Sequence, residues 1–263
     1  MRYIPENNLA YPVLIKMDKG SCGSGFFLSS NQSFYLVTAK HVFLKPGSNE
    51  LLCNKEFVIT AYSQDSSIKA PMQIVVHWDL VKTNFKVHTT ADVVIVKLGT
   101  IKTDHLTGEQ KVFFSSGVNM TILPKGASIV WVDDKVFKKY EEVFISNEIF
   151  VLGYPVSIGQ KGYEQIDINK PLIRHGIVAG KNENKRTIIL DSPVYFGNSG
   201  GLVIEVDITT NGDRRFLPIG VVSEYVPFVE ELYSLQHKEI TSINRTNSGY
   251  SVAVPIDVIL DLI

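Results

Sequence analysis

The sequence predicts an all-β chain folded as two antiparallel, six-stranded barrels followed by a short C-terminal helix. Three observations carry this. Short runs rich in β-branched and aromatic residues dominate. Gly, Asn, Ser, Lys and Pro punctuate those runs as turns, and helical periodicity is nearly absent.

The runs fall into two series. The first comprises Pro12 to Met17, Gly25 to Ser29, Phe34 to Thr38, Phe57 to Tyr62, Met72 to His77 and Val93 to Leu98. The second comprises Ser128 to Val132, Ile149 to Leu152, Leu172 to Val178, Thr187 to Leu190, Leu202 to Val206, Leu217 to Ser223 and Ser251 to Val254. Asn182-Glu-Asn-Lys185 and Asn211-Gly212 read as hairpin tips. The polar stretch Lys102 to Ser116 is the expected crossing, which divides the chain into residues 1–108 and 109–263. Pro255 to Ile263 carries the helix, with proline in its first turn and apolar residues at helical spacing.

Composition narrows the function classes. The chain has 263 residues, 26 basic and 27 acidic side chains, and a formal charge of -1. That balance provides no footprint for nucleic acid, and no apolar run approaches the roughly 20 residues that span a bilayer. The basic stretch Lys135 to Lys139 runs into Glu141 and Glu142 and reads as a solvated face or loop. The first ten residues lack the apolar core of a signal peptide, so the expectation is a cytoplasmic protein. Two cysteines, Cys22 and Cys53, make no disulfide framework, and no His/Cys/Asp cluster has metal-ligand spacing; no cofactor or metal is expected.

The chemistry-bearing string is Gly197-Asn-Ser-Gly-Gly201. A serine hydroxyl needs a neighbouring base and donors for the oxyanion it creates. Glycines around it let two backbone N–H groups converge. By itself the string equally fits a turn between strands. His41, just past an apolar strand, is the candidate base, although His77, His88, His105, His175 and His237 are also present. Asp92 opens the apolar run Val93 to Leu98, where an unpartnered carboxylate would be costly and an imidazole N–H would satisfy it. The string also satisfies the G-x-S-x-G elbow, with Asp213 and His237 in the required order. The strand-like Leu202 to Asp207 stands where that elbow needs a helix, so this alternative is rejected.

Seven strings in order resemble the trypsin-like serine peptidases, especially the bacterial branch near the HtrA-type and Glu-specific enzymes. They are Gly23-Ser-Gly-Phe-Phe-Leu28, Tyr35-Leu-Val-Thr-Ala-Lys-His-Val42, Ala91-Asp-Val-Val-Ile-Val-Lys-Leu98, Val151-Leu-Gly-Tyr-Pro155, Gly197-Asn-Ser-Gly-Gly201, Gly220-Val-Val-Ser223 and Gly249-Tyr-Ser-Val-Ala-Val-Pro255. The resemblance implies a serine endopeptidase with a His41, Asp92, Ser199 triad and an oxyanion hole from the N–H groups of Gly197 and Ser199. It implies a substrate-pairing edge at Ser223, Glu224 and Tyr225, with Pro193 at the floor of the specificity pocket. Pro193, Val194, Tyr225 and the Gly249 to Ser251 strand then make an apolar pocket for small or medium side chains. Asn198 stands where digestive members carry an aspartate, and Val42 where they carry a cysteine, so neither N-terminal activation nor that disulfide is expected. The expected partner is a protein or peptide substrate. The alternative is a latent or degenerate domain that binds a peptide or a partner protein and is active only when an activating protein partner orders it.

Overall fold

The structure, a computed structural model, describes residues 4, 6–155, 164–167, 169–234 and 239–263. His237 lies outside these. Ten strands build a first sheet: β1 (Pro12–Met17), β2 (Cys22–Ser30), β3 (Ser33–Thr38), β4 (Glu56–Ala61), β5 (Met72–His77), β6 (Phe85–Val87), β7 (Val94–Thr103), β8 (Gln110–Phe114), β9 (Val118–Ile122) and β10 (Val132–Asp133). Eight follow the order β6-β7-β3-β2-β1-β4-β5-β9, with β8 on β7 and β10 on β2. Six more strands close a second barrel in the order β11-β12-β13-β16-β15-β14. These are β11 (Glu148–Gly153), β12 (Leu172–Asn182), β13 (Thr187–Asp191), β14 (Leu202–Ile208), β15 (Arg214–Ser234) and β16 (Glu239–Pro255).

The near-continuous apolar runs have a physical reason. Side chains alternate along a strand, and here both faces are covered. On β3, Phe34 and Leu36 enter the first core, while Tyr35 and Val37 enter a cluster shared with the second barrel. On β7, Val94 and Val96 face the first core and Ile95 the shared cluster. On β14, Val203 faces the second core, while Leu202 and Ile204 join the shared cluster. That shared layer ties the two halves together and fixes the cleft between them.

The structure corrects several expectations. The first sheet has ten strands, not six, and it extends past residue 108, because β8 and β9 pair with β7 and β5. Lys102 to Ser116 therefore holds the β7–β8 hairpin, and the crossing runs from residue 123 to 147. Within it, Ser128 to Val132 contributes only Val132 to a strand, parallel to β2. The C-terminal helix is a 3₁₀ helix, Ile256–Leu262. Its three-residue period stacks Ile256, Ile259 and Leu262 into one buried stripe against the shared cluster. Short α-helices that periodicity did not predict occur at α1 (Lys40–Phe43) and α2 (Trp78–Val81).

Lys135 to Lys139 is not wholly solvated. Lys138 is buried, with Nζ 2.8 Å from Glu205 Oε1 and 3.4 Å from Asp207 Oδ2. The ion pair clips the crossing onto β14. Both predicted hairpin tips are turns; Lys185 N–H donates to Asn182 Oδ1, and Gly212 takes a φ of 83°.

Candidate active site

Three segments converge on the cleft. β3 ends at Thr38, and α1 carries His41 one turn later. Phe43 anchors that turn in the first core, against Phe57, Trp78 and Phe85 with centroids 5.1, 6.2 and 5.3 Å away. Asp92 lies at the entry to β7 and holds His41 twice. The backbone N–H of His41 donates to Oδ1 at 3.1 Å, and Nδ1 stands 2.8 Å from Oδ2. The Ser223 hydroxyl, on β15, donates to the same Oδ2 at 2.6 Å. The carboxylate thus has the partners its burial demands.

The third segment is the loop between β13 and β14. Its backbone is tied on several sides. Ser24 Oγ donates to the Gly197 carbonyl at 2.6 Å and accepts from the Tyr154 N–H at 2.8 Å. Ser24 N–H donates to the Ser199 carbonyl, and Gly200 N–H to the Val222 carbonyl. Gly197 and Gly200 take φ of 93° and 84°. A Cβ on Gly200 would lie 2.1 Å from both the Ser24 carbonyl and Thr38 Oγ1, so only glycine fits. Among the described residues the N–H groups of Gly197 and Ser199 engage no acceptor. Buried Asn198 accepts the Tyr195 N–H on Oδ1 at 3.0 Å, a local bond that shapes the loop.

Ser199 differs from expectation in one respect. Its hydroxyl donates to the Ser223 carbonyl at 3.3 Å and makes no hydrogen bond to His41. That carbonyl is an available acceptor, and a turn about χ1 carries the oxygen between staggered positions.

Electrostatics favour an imidazole that holds its proton more strongly than usual. Burial pulls the His41 pKa down, but the Asp92 hydrogen bond and charge, together with the Glu224 charge, leave it above the ordinary histidine value. Burial raises that of Asp92, but the His41 bond and charge, the Ser223 hydroxyl and the His41 N–H leave it lowered. The ionised carboxylate is therefore the stable partner.

A cleft of about 520 Å³ runs over these groups. His41, Asp92, Ser199, Ser223, Glu224 and Tyr225 line it, as does Val194. Pro193, expected at the floor, and the Gly249 to Ser251 strand do not line it. Tyr195 and Phe196 were missed as lining residues although they stand directly before Gly197; Phe196 meets Tyr225 edge-on at 6.4 Å. Lys40 and Lys45 also line the cleft. Ser24 was quoted only within a motif, and its role in holding the Gly197 carbonyl needed the fold. Cys22 and Cys53 are free thiols, and burial pushes the Cys53 pKa up to about 12.

The decisive comparison is with family models: the trypsin-like peptidase domain matches residues 23–209. The chain belongs to this family. Solved structures agree on the fold. Deg5 is similar with a TM-score of 0.51 and 16% identity, over 99% of this chain and 95% of that one. Human heparin binding protein is similar with a TM-score of 0.50 and 11% identity, over 99% and 92%. No curated protein sequence matches the chain. Within the trypsin-like peptidase fold, the cleft is lined by residues of the first sheet's half, such as His41 and Asp92, and of the second barrel's half, such as Ser199 and Tyr225.

Proposed function

We propose that this chain is a serine endopeptidase that cleaves peptide bonds through an acyl-enzyme. The observation that carries this reading is the convergence of an Asp92-held imidazole and the Ser199 loop on one open cleft. Ser199 Oγ turns from the Ser223 carbonyl to Nε2 of His41, which takes its proton as the oxygen attacks the scissile carbonyl. The free N–H groups of Gly197 and Ser199 receive the negative charge that develops on the carbonyl oxygen. Asp92 stabilises the imidazolium, which then protonates the leaving amine, and water repeats the sequence on the ester. The Ser223 to Tyr225 edge of β15 offers backbone groups to an extended substrate. The test is hydrolysis of a denatured protein by the purified chain. New N-termini should accumulate with wild type and not with Ser199→Ala; equal cleavage by both would refute the reading.

A further inference from the structure

Apart from two tyrosines, five ionisable side chains line the cleft: Lys40, His41, Lys45, Asp92 and Glu224. His41 and Asp92 hold each other, and Lys45 Nζ lies 2.7 Å from Glu50 Oε1. Among the described residues, Lys40 and Glu224 form no ion pair. Lys40 stands on α1 beside His41, and Glu224 on β15, so the cleft runs from an uncompensated cation on one wall to an uncompensated carboxylate on the other.

The position of Glu224 follows from strand geometry. The register is regular from Glu224↔Val252 to Tyr225↔Ser251, so the two side chains leave opposite faces of β15. Tyr225 packs against the second core. Glu224 points away from that core, on the side from which its charge reaches His41. A peptide laid antiparallel on this edge alternates in the same way. Its residue immediately before the cut faces Val194, Phe196 and Tyr225, and the residue before that one faces His41 and Glu224.

We propose that Glu224 makes the second residue on the acyl side of the cut selective for Lys or Arg. This rests on the endopeptidase reading for its register, and it adds a substrate class: peptides with a basic residue one position removed from an apolar one. Lys40 disfavours the same cation on the opposite wall and leaves the β15 wall as its place. An exposed carboxylate gains a modest amount from one cation, so a severalfold preference is expected rather than an absolute one.

The test uses Ser199→Ala, so that binding is read without turnover, and three peptides alike except for Lys, norleucine or Glu at that position. The Lys peptide should bind about fivefold tighter than the norleucine peptide, and the Glu peptide weakest. The spread should shrink in 0.5 M salt, about half a molar, because the pair is solvent-exposed. Adding Glu224→Lys should reverse the order. Equal affinities, or an order that Glu224→Lys leaves unchanged, would overturn the proposal. Fluorophosphonate labelling of Ser199 in the otherwise unaltered chain reports separately on hydrolase competence. Labelling without a charge preference sinks the subsite alone; a charge preference without labelling sinks the endopeptidase reading and leaves Glu224 as a charge-selective peptide contact with no cut to count from.

Discussion

The two halves of the cleft are held in different ways. On the first-sheet side the side chains themselves are fixed: Asp92 receives the His41 N–H, the His41 ring and the Ser223 hydroxyl. On the second-barrel side the backbone is fixed, through Ser24, Gly200 and Val222, while the Ser199 hydroxyl rests on the Ser223 carbonyl and not on His41. On the proposed mechanism the base is oriented before substrate arrives, and the nucleophile has one rotation left to make. Breaking the first half should therefore damage proton transfer, and breaking the second should damage the loop.

The largest effects belong to the reacting groups. Ser199→Ala and Asp92→Asn should lower kcat by roughly 10⁴-fold or more, and the double variant should lose little beyond the worse single one. Steady-state kinetics on one peptide substrate reads both. Losses that multiply would show that the two halves act independently.

Gly200→Ala attacks the second half through its backbone. The new methyl collides with the Ser24 carbonyl and Thr38 Oγ1 at a positive φ, so we expect a loss of about 3 kcal/mol or more in denaturant unfolding. Wild-type stability would mean that the loop relaxes freely. Ser223→Ala attacks the first half more gently. It removes one hydrogen bond to an ionised group, worth about 1.5–3 kcal/mol, so kcat/KM should fall about tenfold to a hundredfold. Its unaltered backbone still offers Ser199 the carbonyl.

The smallest effect is a shift in pH dependence. His41 must be neutral to act as a base, and its raised pKa places the acid limb of kcat/KM at higher pH than an ordinary histidine would. Glu224→Gln removes a negative charge that favours the imidazolium, so the limb should move to lower pH. A limb that does not move to lower pH would mean that Glu224 does not act on His41 through its charge.

How much of this could be read beforehand depended on burial. Strands with both faces covered, such as β3 and β14, announce themselves as apolar runs. Strand β8 does not: Gln110 and Lys111 are exposed, and half of Phe113 faces solvent, so an edge strand read as a polar crossing. The outer reaches of β15 and β16, Pro227–Ser234 and Glu239–Asn247, pair with each other and show no inside–outside alternation in the sequence. The strings around His41, Asp92 and Ser199 were legible because each couples a reactive side chain to a turn or strand end. The resting place of the Ser199 hydroxyl and the absence of Pro193 from the cleft lining depend on rotamers and on neighbours distant in sequence, which no local pattern records.

The central claim is that Ser199 is a nucleophile activated by His41. It is tested most directly by locating the adduct of a fluorophosphonate probe by mass spectrometry. The account predicts one label, on Ser199, lost in Ser199→Ala and strongly slowed in His41→Ala. A label that persists in Ser199→Ala, or one that forms at the same rate without His41, would contradict it.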